Sequence, residues 1–426
     1  MQVLLKGATL IDPVSGHDGA MDLHIADGVI QQLGPNLSVS RAQVFDLRGK
    51  VVAPGFIDMH VHLREPGFEH KETIRTGVEA AAAGGFTAVC CMPNTNPAID
   101  DESVIRFIQS KAGIALNGLV DVYPVGAVTV GRKGEQLAPL AELAAAGAVA
   151  FSDDGEPVQS AEMVRRALEY SGMFGRPLIQ HAQDLPLTKG GVMHEGFTAT
   201  ELGLPGMPGI AEEVMVARDV RIVEFTGGRY HVAHISTAGT LELVRAAKAR
   251  HLHVSCEVSP HHFTLTDEAV RTYDTNTKMN PPLRTRDDVE ALKEGLRDGS
   301  IEVIATDHAP HSFDEKQVEF SSAPFGIVGL ETAFGLAVTE LVRKNVLSLY
   351  QLIQKFSTNP RAILGLPAIR VSEGEKANLT MFDPAAEWVV DPSEFKTMSK
   401  NTPFGGYKLT GRALGVINNG QILWTE

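Results

Sequence analysis

Eight short apolar runs recur along the middle of this 426-residue chain, at 54–62, 85–92, 118–125, 148–151, 177–180, 230–235, 251–258 and 302–305. Each is too short for a helix and reads as a strand buried on both faces. Between them lie stretches with helical spacing of apolar positions, for example 71–83, 160–170, 240–250 and 287–297. Gly84, Gly85 and Gly147 follow such stretches and fit C-terminal caps. Eight strand–helix alternations predict an α/β fold, a (β/α)8 TIM-like barrel spanning residues 53–367. A doubly wound open sheet is the structural alternative. Against it, no Gly-rich phosphate loop follows the first strand, and Gly131-Arg132-Lys133-Gly134 reads as a surface turn.

The two ends have a different texture. Val3-Leu4-Leu5, Asp22-Leu23-His24-Ile25 and Ala42-Gln43-Val44-Phe45 read as short strands broken by Gly, Asp and Pro. So do Leu379-Thr380-Met381-Phe382 and Ala413-Leu414-Gly415-Val416-Ile417. Neither end is long enough for its own core. Residues 1–52 and 368–426 are therefore expected to pair into one small β-rich domain.

Composition narrows the partners. The net charge of -14 argues against a nucleic-acid or anionic-membrane surface. No apolar run reaches membrane-spanning length, and no basic-then-apolar leader opens at Met1. Cys90, Cys91 and Cys256 form no CxxC pair and read as buried reduced thiols of a cytoplasmic protein.

The chemistry lies where the predicted strands end. His60 and His62 are two apart in a strand and aim the same way. His181 ends the fifth strand, His234 the sixth and Asp307 the eighth; Asn94 follows the second and Asp153-Asp154 the fourth. In a barrel, strand carboxyl ends converge on the active site. Neutral imidazoles with carboxylates suit borderline divalent metals such as zinc. With Asp154 included, the set suits two metals sharing a bridging carboxylate, with a hydroxide held between them. The reaction class is metal-assisted hydrolysis of C–N or phosphoester bonds. No GxSxG nucleophile motif competes.

Pro54-Gly55-Phe56-Ile57-Asp58-Met59-His60-Val61-His62 resembles the opening signature of the amidohydrolase superfamily, and Leu63-Arg64-Glu65-Pro66-Gly67 narrows the resemblance to dihydroorotases. Met92-Pro93-Asn94-Thr95, Phe151-Ser152-Asp153-Asp154-Gly155, Lys278-Met279-Asn280-Pro281-Pro282-Leu283-Arg284, Ala305-Thr306-Asp307-His308-Ala309-Pro310-His311 and Ala323-Pro324-Phe325-Gly326-Ile327-Val328-Gly329-Leu330-Glu331 are similar to that family too. The match runs in order along the chain and is nearest the long bacterial type, class I. It implies the cyclisation of N-carbamoyl-L-aspartate to dihydroorotate in pyrimidine synthesis, with two Zn2+ per chain and a bridging hydroxide. His60, His62 and Asp307 would bind the first metal and His181 and His234 the second, with Asp154 between them. Asp307 would also be the general acid and base. Arg64, Asn94 and His311 would hold the substrate carboxylate, in a pocket that His62 also lines. Asn280 and the backbone at Phe325-Gly326 would hold the ring. The resemblance further implies a homo-oligomer, and allows a complex with aspartate transcarbamoylase.

Alternatives stay open at this point. Many relatives in the superfamily bridge their metals with a carboxylated lysine after strand four, which this chain lacks, and Asp153 competes with Asp154 for the bridge. A hydantoinase or allantoinase-like cyclic amidohydrolase is the rival enzyme, and Arg64 speaks against it. An inactive partner of aspartate transcarbamoylase is the non-enzymatic rival, and the full ligand set speaks against it. His194 reads as a residue of a long Gly-rich loop at 189–209. His261-His262 and His308 read as non-ligands, and Arg284 as a ring-positioning group or the partner of a helix carboxylate. The polar segment 312–324 reads as a solvated loop or as a lid.

Overall fold

The computed structural model describes residues 2–425. Its centre is an eight-stranded parallel sheet of Phe56–Val61, Phe86–Cys91, Asp121–Gly126, Ala150–Phe151, Leu178–Gln180, Tyr230–Val232, Val254–Val258 and Val303–Ile304, each strand beside its predecessor. The sheet closes on itself. Val61 bridges His308 in parallel, and the His62 amide donates to the His308 carbonyl at 2.8 Å. Helices such as Ile74–Ala83, Ala161–Gly172, Ala238–Ala249 and Arg286–Asp298 connect the strands. These are the alternations of a (β/α)8 barrel, and all eight strands fall within the apolar runs of the sequence or overlap them.

Local chemistry explains the boundaries. Thr73 accepts from the Thr76 amide and its own amide donates to Thr76 Oγ1, a reciprocal cap that starts Ile74–Ala83. Gly147 ends Leu140–Ala146 at φ 116°, a left-handed position that disfavours a side chain. Barrel strands without polar residues are buried on both faces, which is why they read as continuous apolar runs.

A second eight-stranded sheet gathers both chain ends. Val51–Pro54 pairs antiparallel with Leu379–Val389, Leu379 opposite Pro54, and this pairing joins the N-terminal strands to the C-terminal ones. Leu5, Leu23, Ile25, Val52, Leu379, Met381 and Leu414 form its core. The three cysteines are buried and unpaired.

Two segments differ from expectation. The stretch 189–209 is not a plain loop: Met193–His194 pairs in parallel with Gly206–Met207 around the short helix Phe197–Leu202. The segment 312–324 is not simply solvated either. Its capped turn Phe313–Lys316 buries the Lys316 amine against the carbonyls of Thr275 and Pro324 at 3.1 and 2.8 Å, and Phe320 is buried. Lys278 donates to the carbonyls of Phe320 and Ser321. Carbonyl acceptors make the burial of these amines tolerable, which composition alone does not reveal.

Candidate active site

At the carboxyl end of the barrel a cavity of about 350 Å3 opens over His62, Asp154, His181, His234 and Asp307. His60 lies beneath it, fully buried. The strand Phe56–Val61, which carries His60 and leads into His62, shifts register between Asp58 and Val61. His60 Nε2 lies 3.2 Å from Asp154 Oδ1 and 3.6 Å from Asp307 Oδ1. His62 Nε2 lies 2.9 Å from Asp307 Oδ1 and 3.5 Å from Asp154 Oδ2. His181 Nδ1 is 3.0 Å from His234 Nε2, and the two rings lie 3.9 and 3.8 Å from Asp154 Oδ1. His234 and Asp307 hold left-handed backbone, φ 29° and 50°, a conformation that non-glycine residues adopt at a cost and that is concentrated at functional sites.

Two groups of ligand atoms converge, His60–Asp154–His234 and His60–His62–Asp307. His60 Nε2 and Asp154 Oδ1 are buried without a hydrogen-bond partner, which a buried polar atom rarely tolerates. Four imidazoles and two carboxylates with orphaned atoms aimed inward fit a metal centre. Zinc bonds of about 2.0–2.2 Å place neighbouring ligand atoms roughly 3–3.5 Å apart, as several pairs here already are.

Charges in the cluster are mutually adjusted. Burial opposes ionisation of Asp154 and Asp307, but the imidazoles of His60 and His62 outweigh it and hold both carboxyls below the usual range. Burial, with His234 beside it, pushes His181 down to about 4, so that ring is neutral as a ligand must be.

The rim carries the other expected residues. Arg64 Nε donates to the Pro310 carbonyl at 3.1 Å, and its Nη2 is 3.4 Å from His311 Nε2. Burial lowers Arg64 to about 10, still charged at neutral pH. His311 Nε2 also meets the Phe325 carbonyl at 2.8 Å; burial, with Arg64 and Lys71 nearby, keeps that ring neutral. Asn94 takes His62 Nδ1 on its Oδ1 at 2.8 Å, leaving its NH2 group to donate. Asn280 reaches Gln183 Oε1 at 2.8 Å and His181 Nε2 at 3.2 Å. Gly326 sits at φ 120°, where a Cβ would fall 2.7 Å from Ala309 Cβ, so its backbone can line the cavity and a larger residue could not.

Other residues go elsewhere. Asp153 faces away, accepting from the Val128 and Thr129 amides and the Thr129 hydroxyl. His308 accepts from the Gly329 amide at 3.1 Å, and His262 Nε2 meets the Pro281 carbonyl. His261 is buried with an unpartnered Nε2 and, unlike His181, which is also absent from both ligand groups, does not line the cavity. Arg284 reaches Ser236 Oγ, the Met207 carbonyl and His194 Nδ1, so it holds the small sheet at 193–207, and among the described residues it forms no ion pair with a carboxylate. Sequence reasoning missed Glu257 and Gln183, which hold His60 Nδ1 at 2.7 Å and His181 Nε2 at 3.0 Å. The available signals were a carboxylate inside an apolar strand and an amide two residues after a candidate ligand.

A family model described as dihydro-orotase-like matches residues 49–240. The chain is 54% identical over 426 residues to a protein named dihydroorotase from Pelotomaculum thermopropionicum, covering all of this chain and 99% of that one. It is 52% identical to one of the same name from a Geobacter species, again over all of this chain and 99% of the relative. In fold it is similar to an L-hydantoinase (dihydropyrimidinase) from Arthrobacter aurescens, with a TM-score of 0.87, 24% identity and coverage of 99% of this chain and 95% of that chain. Full-length identity at this level shows that the chain belongs to the dihydroorotase family, cyclic amide hydrolases of the amidohydrolase superfamily.

Proposed function

We propose that this chain catalyses the reversible, zinc-dependent cyclisation of N-carbamoyl-L-aspartate to L-dihydroorotate, with loss of water, on the route to UMP. The observation that carries the reading is the Arg64 guanidinium at the rim of a cavity floored by three imidazoles and two carboxylates, with a fourth imidazole, His60, buried beneath. Dihydroorotate bears a ring carboxylate, which a guanidinium grips at two points. Uncharged cyclic amides give that group nothing to bind.

His60, His62 and Asp307 would hold one zinc ion and His181 and His234 the other, with Asp154 shared. The pair supplies Lewis acidity and a water nucleophile available near neutral pH. Asp307 is the catalytic residue. In ring opening it takes a proton from the attacking water and delivers it to the departing ring nitrogen as the bond to the ring carbonyl breaks; in cyclisation it runs the steps in reverse. In the metal-free site the neighbouring His62 and His60 imidazoles keep its carboxyl ionised. Arg64, the Asn94 NH2 group and His311 orient the carboxylate, while Asn280 and the backbone at Phe325 and Gly326 orient the ring. Pro324, at the end of the pinned segment 312–324, lines the cavity beside Phe325 and Gly326.

The chain is further proposed to work in the cytoplasm as a homo-oligomer able to associate with aspartate transcarbamoylase. Its units would be a barrel of residues 53–367 and an end domain of residues 1–52 and 368–426. Among the described residues no helix is long and apolar enough to cross a membrane.

Ring opening of L-dihydroorotate, followed in the ultraviolet with metal content measured on the same sample, tests the activity. Turnover that chelator removes and zinc restores supports it. Turnover of dihydrouracil or hydantoin instead transfers the chain to the hydantoinases and removes the role of Arg64.

A further inference from the structure

We infer that Glu257 is a positioning residue for His60, and that it makes the metal position containing His60 the tighter of the two. The inference rests on the proposed role of His60 as a ligand. Glu257 stands in the strand Val254–Val258, between Cys256 and Val258, and is 1% exposed. A carboxylate this deep needs partners to remain charged. Oε1 lies 2.7 Å from His60 Nδ1, and Oε2 lies 3.2 Å from His231 Nε2. His231 Nδ1 in turn lies 2.8 Å from Ser255 Oγ.

This chain of contacts is built into the barrel wall. His231 and Ser255 are direct partners in the register of adjacent strands, so their side chains share a face. Glu257, two residues beyond Ser255, shares it too. The strand of Glu257 is separated from that of His60 only by the eighth strand, across the closing seam. No loop motion is needed to hold the array.

The consequence for His60 is a defined tautomer. In the neutral ring that a metal requires, Nδ1–H donates to Glu257 and the lone pair sits on Nε2, the atom left without a hydrogen-bond partner beside Asp154 and Asp307. The other partnered imidazoles meet neutral amides, Asn94 for His62 and Gln183 for His181. Among the described residues Glu257 is the one carboxylate on the outer nitrogen of a proposed ligand histidine. A carboxylate makes an imidazole a stronger donor than an amide does, and outer partners of this kind typically change metal affinity by about 10–100-fold.

The test is a zinc titration of the metal-free full-length protein against a competing chelator, on wild type, Glu257→Gln and His60→Ala. Glu257→Gln gives His60 the same kind of partner that His62 and His181 have. The expected result is two binding steps in wild type, the tighter weakened about 10–100-fold by Glu257→Gln and the weaker unchanged within roughly threefold. His60→Ala should remove the tighter step. If His60→Ala removes it and a folded Glu257→Gln leaves it intact, the inference is overturned while the ligand role stands. If His60→Ala alters neither step, the ligand role fails and the inference with it. Should Glu257→Gln not fold, nitrogen-15 histidine spectra of the metal-free wild type, taken at a pH where the His60 ring is neutral, decide. A His60 proton on Nδ1 supports the inference; one on Nε2 overturns it.

Discussion

His62 Nε2 and Asp307 Oδ1 stand 2.9 Å apart, within one residue of the hydrogen bond by which the barrel closes, from the His62 amide to the His308 carbonyl at 2.8 Å. The catalytic end of the molecule and the seam of its sheet are therefore the same place. Asp58 staples that seam from below. Its carboxylate accepts from the His60 amide at 3.0 Å on the first strand and from the Thr306 amide at 3.2 Å beyond the eighth. Replacing Asp58 by Ala strands two buried N–H groups, and each unpaired group costs about 1–3 kcal/mol. Asp58→Ala should lose about 2–6 kcal/mol in urea unfolding and weaken zinc binding with it, because the metal position proposed for His60, His62 and Asp307 straddles the seam. Full stability in that variant would show that the strands close without the staple.

Arg64 separates the dihydroorotase reading from the hydantoinase one. Losing a charge-assisted two-point contact should cost about 3–5 kcal/mol of binding, so Arg64→Ala should lower kcat/KM for dihydroorotate by roughly 10²–10⁴-fold. Arg64→Lys should recover only part of this, since an ammonium lacks the planar fork. Zinc content and thermal stability should stay near wild type. An Arg64→Ala enzyme with unchanged kcat/KM would place the substrate carboxylate elsewhere.

Metal affinity should climb with pH. Burial works against a charged His60, but Asp154 and Glu257 outweigh it and hold a proton on the metal-free ring well above the ordinary histidine range. A ligand must be neutral, so metal entry displaces that proton. Below the raised value each unit of pH gained should strengthen apparent binding about tenfold for one proton released. Chelator competition from pH 5.5 to 8.5 reads this directly, and chelator should strip the enzyme fastest at the acid end. A flat affinity across the range would mean that no proton competes for His60.

How much of this was legible in the sequence depended on how each feature is encoded. The barrel strands were readable because burial on both faces writes them as apolar runs, and the residues at their ends were readable because convergence follows from the barrel itself. His60, His62, Asp154, His181, His234 and Asp307 come together for that reason. Glu257 was hidden because its partner is two strands away across a seam that spacing does not describe. Asp153 and Asp154 could not be told apart by alternation: the chain turns after Phe151, sending Asp153 to Thr129 and Asp154 to the histidines. The segment 312–324 looked solvated because a buried lysine and an exposed one are spelled alike.

That buried lysine makes the last prediction. Burial pushes the Lys316 amine from 10.5 down to about 7, with Lys278 adding to the shift. The unfolded chain keeps this proton up to about 10.5, whereas the folded chain releases it above about 7. Between those values the unfolded state binds more protons, so stability rises with pH; below about 7 both states hold the proton and the whole cost of burying the charge is present. The change is bounded at about 1.4 kcal/mol per pH unit for one group. Lys316→Met lacks the titration, so the stability of wild type relative to this variant should rise from pH 7 to pH 9.5 and be level below pH 6.5. Paired urea melts at each pH cancel the contributions of groups that do not interact with Lys316. Because Lys316 ties Thr275 to Pro324, whose neighbours Phe325 and Gly326 line the cavity, proton uptake should also loosen the segment over the site. Hydrogen exchange at 312–324, corrected for intrinsic rate, should be faster at pH 6 than at pH 9 in wild type and indifferent to pH in Lys316→Met. Parallel behaviour of the two proteins would mean that the amine stays charged in the fold and that the segment is held by other contacts.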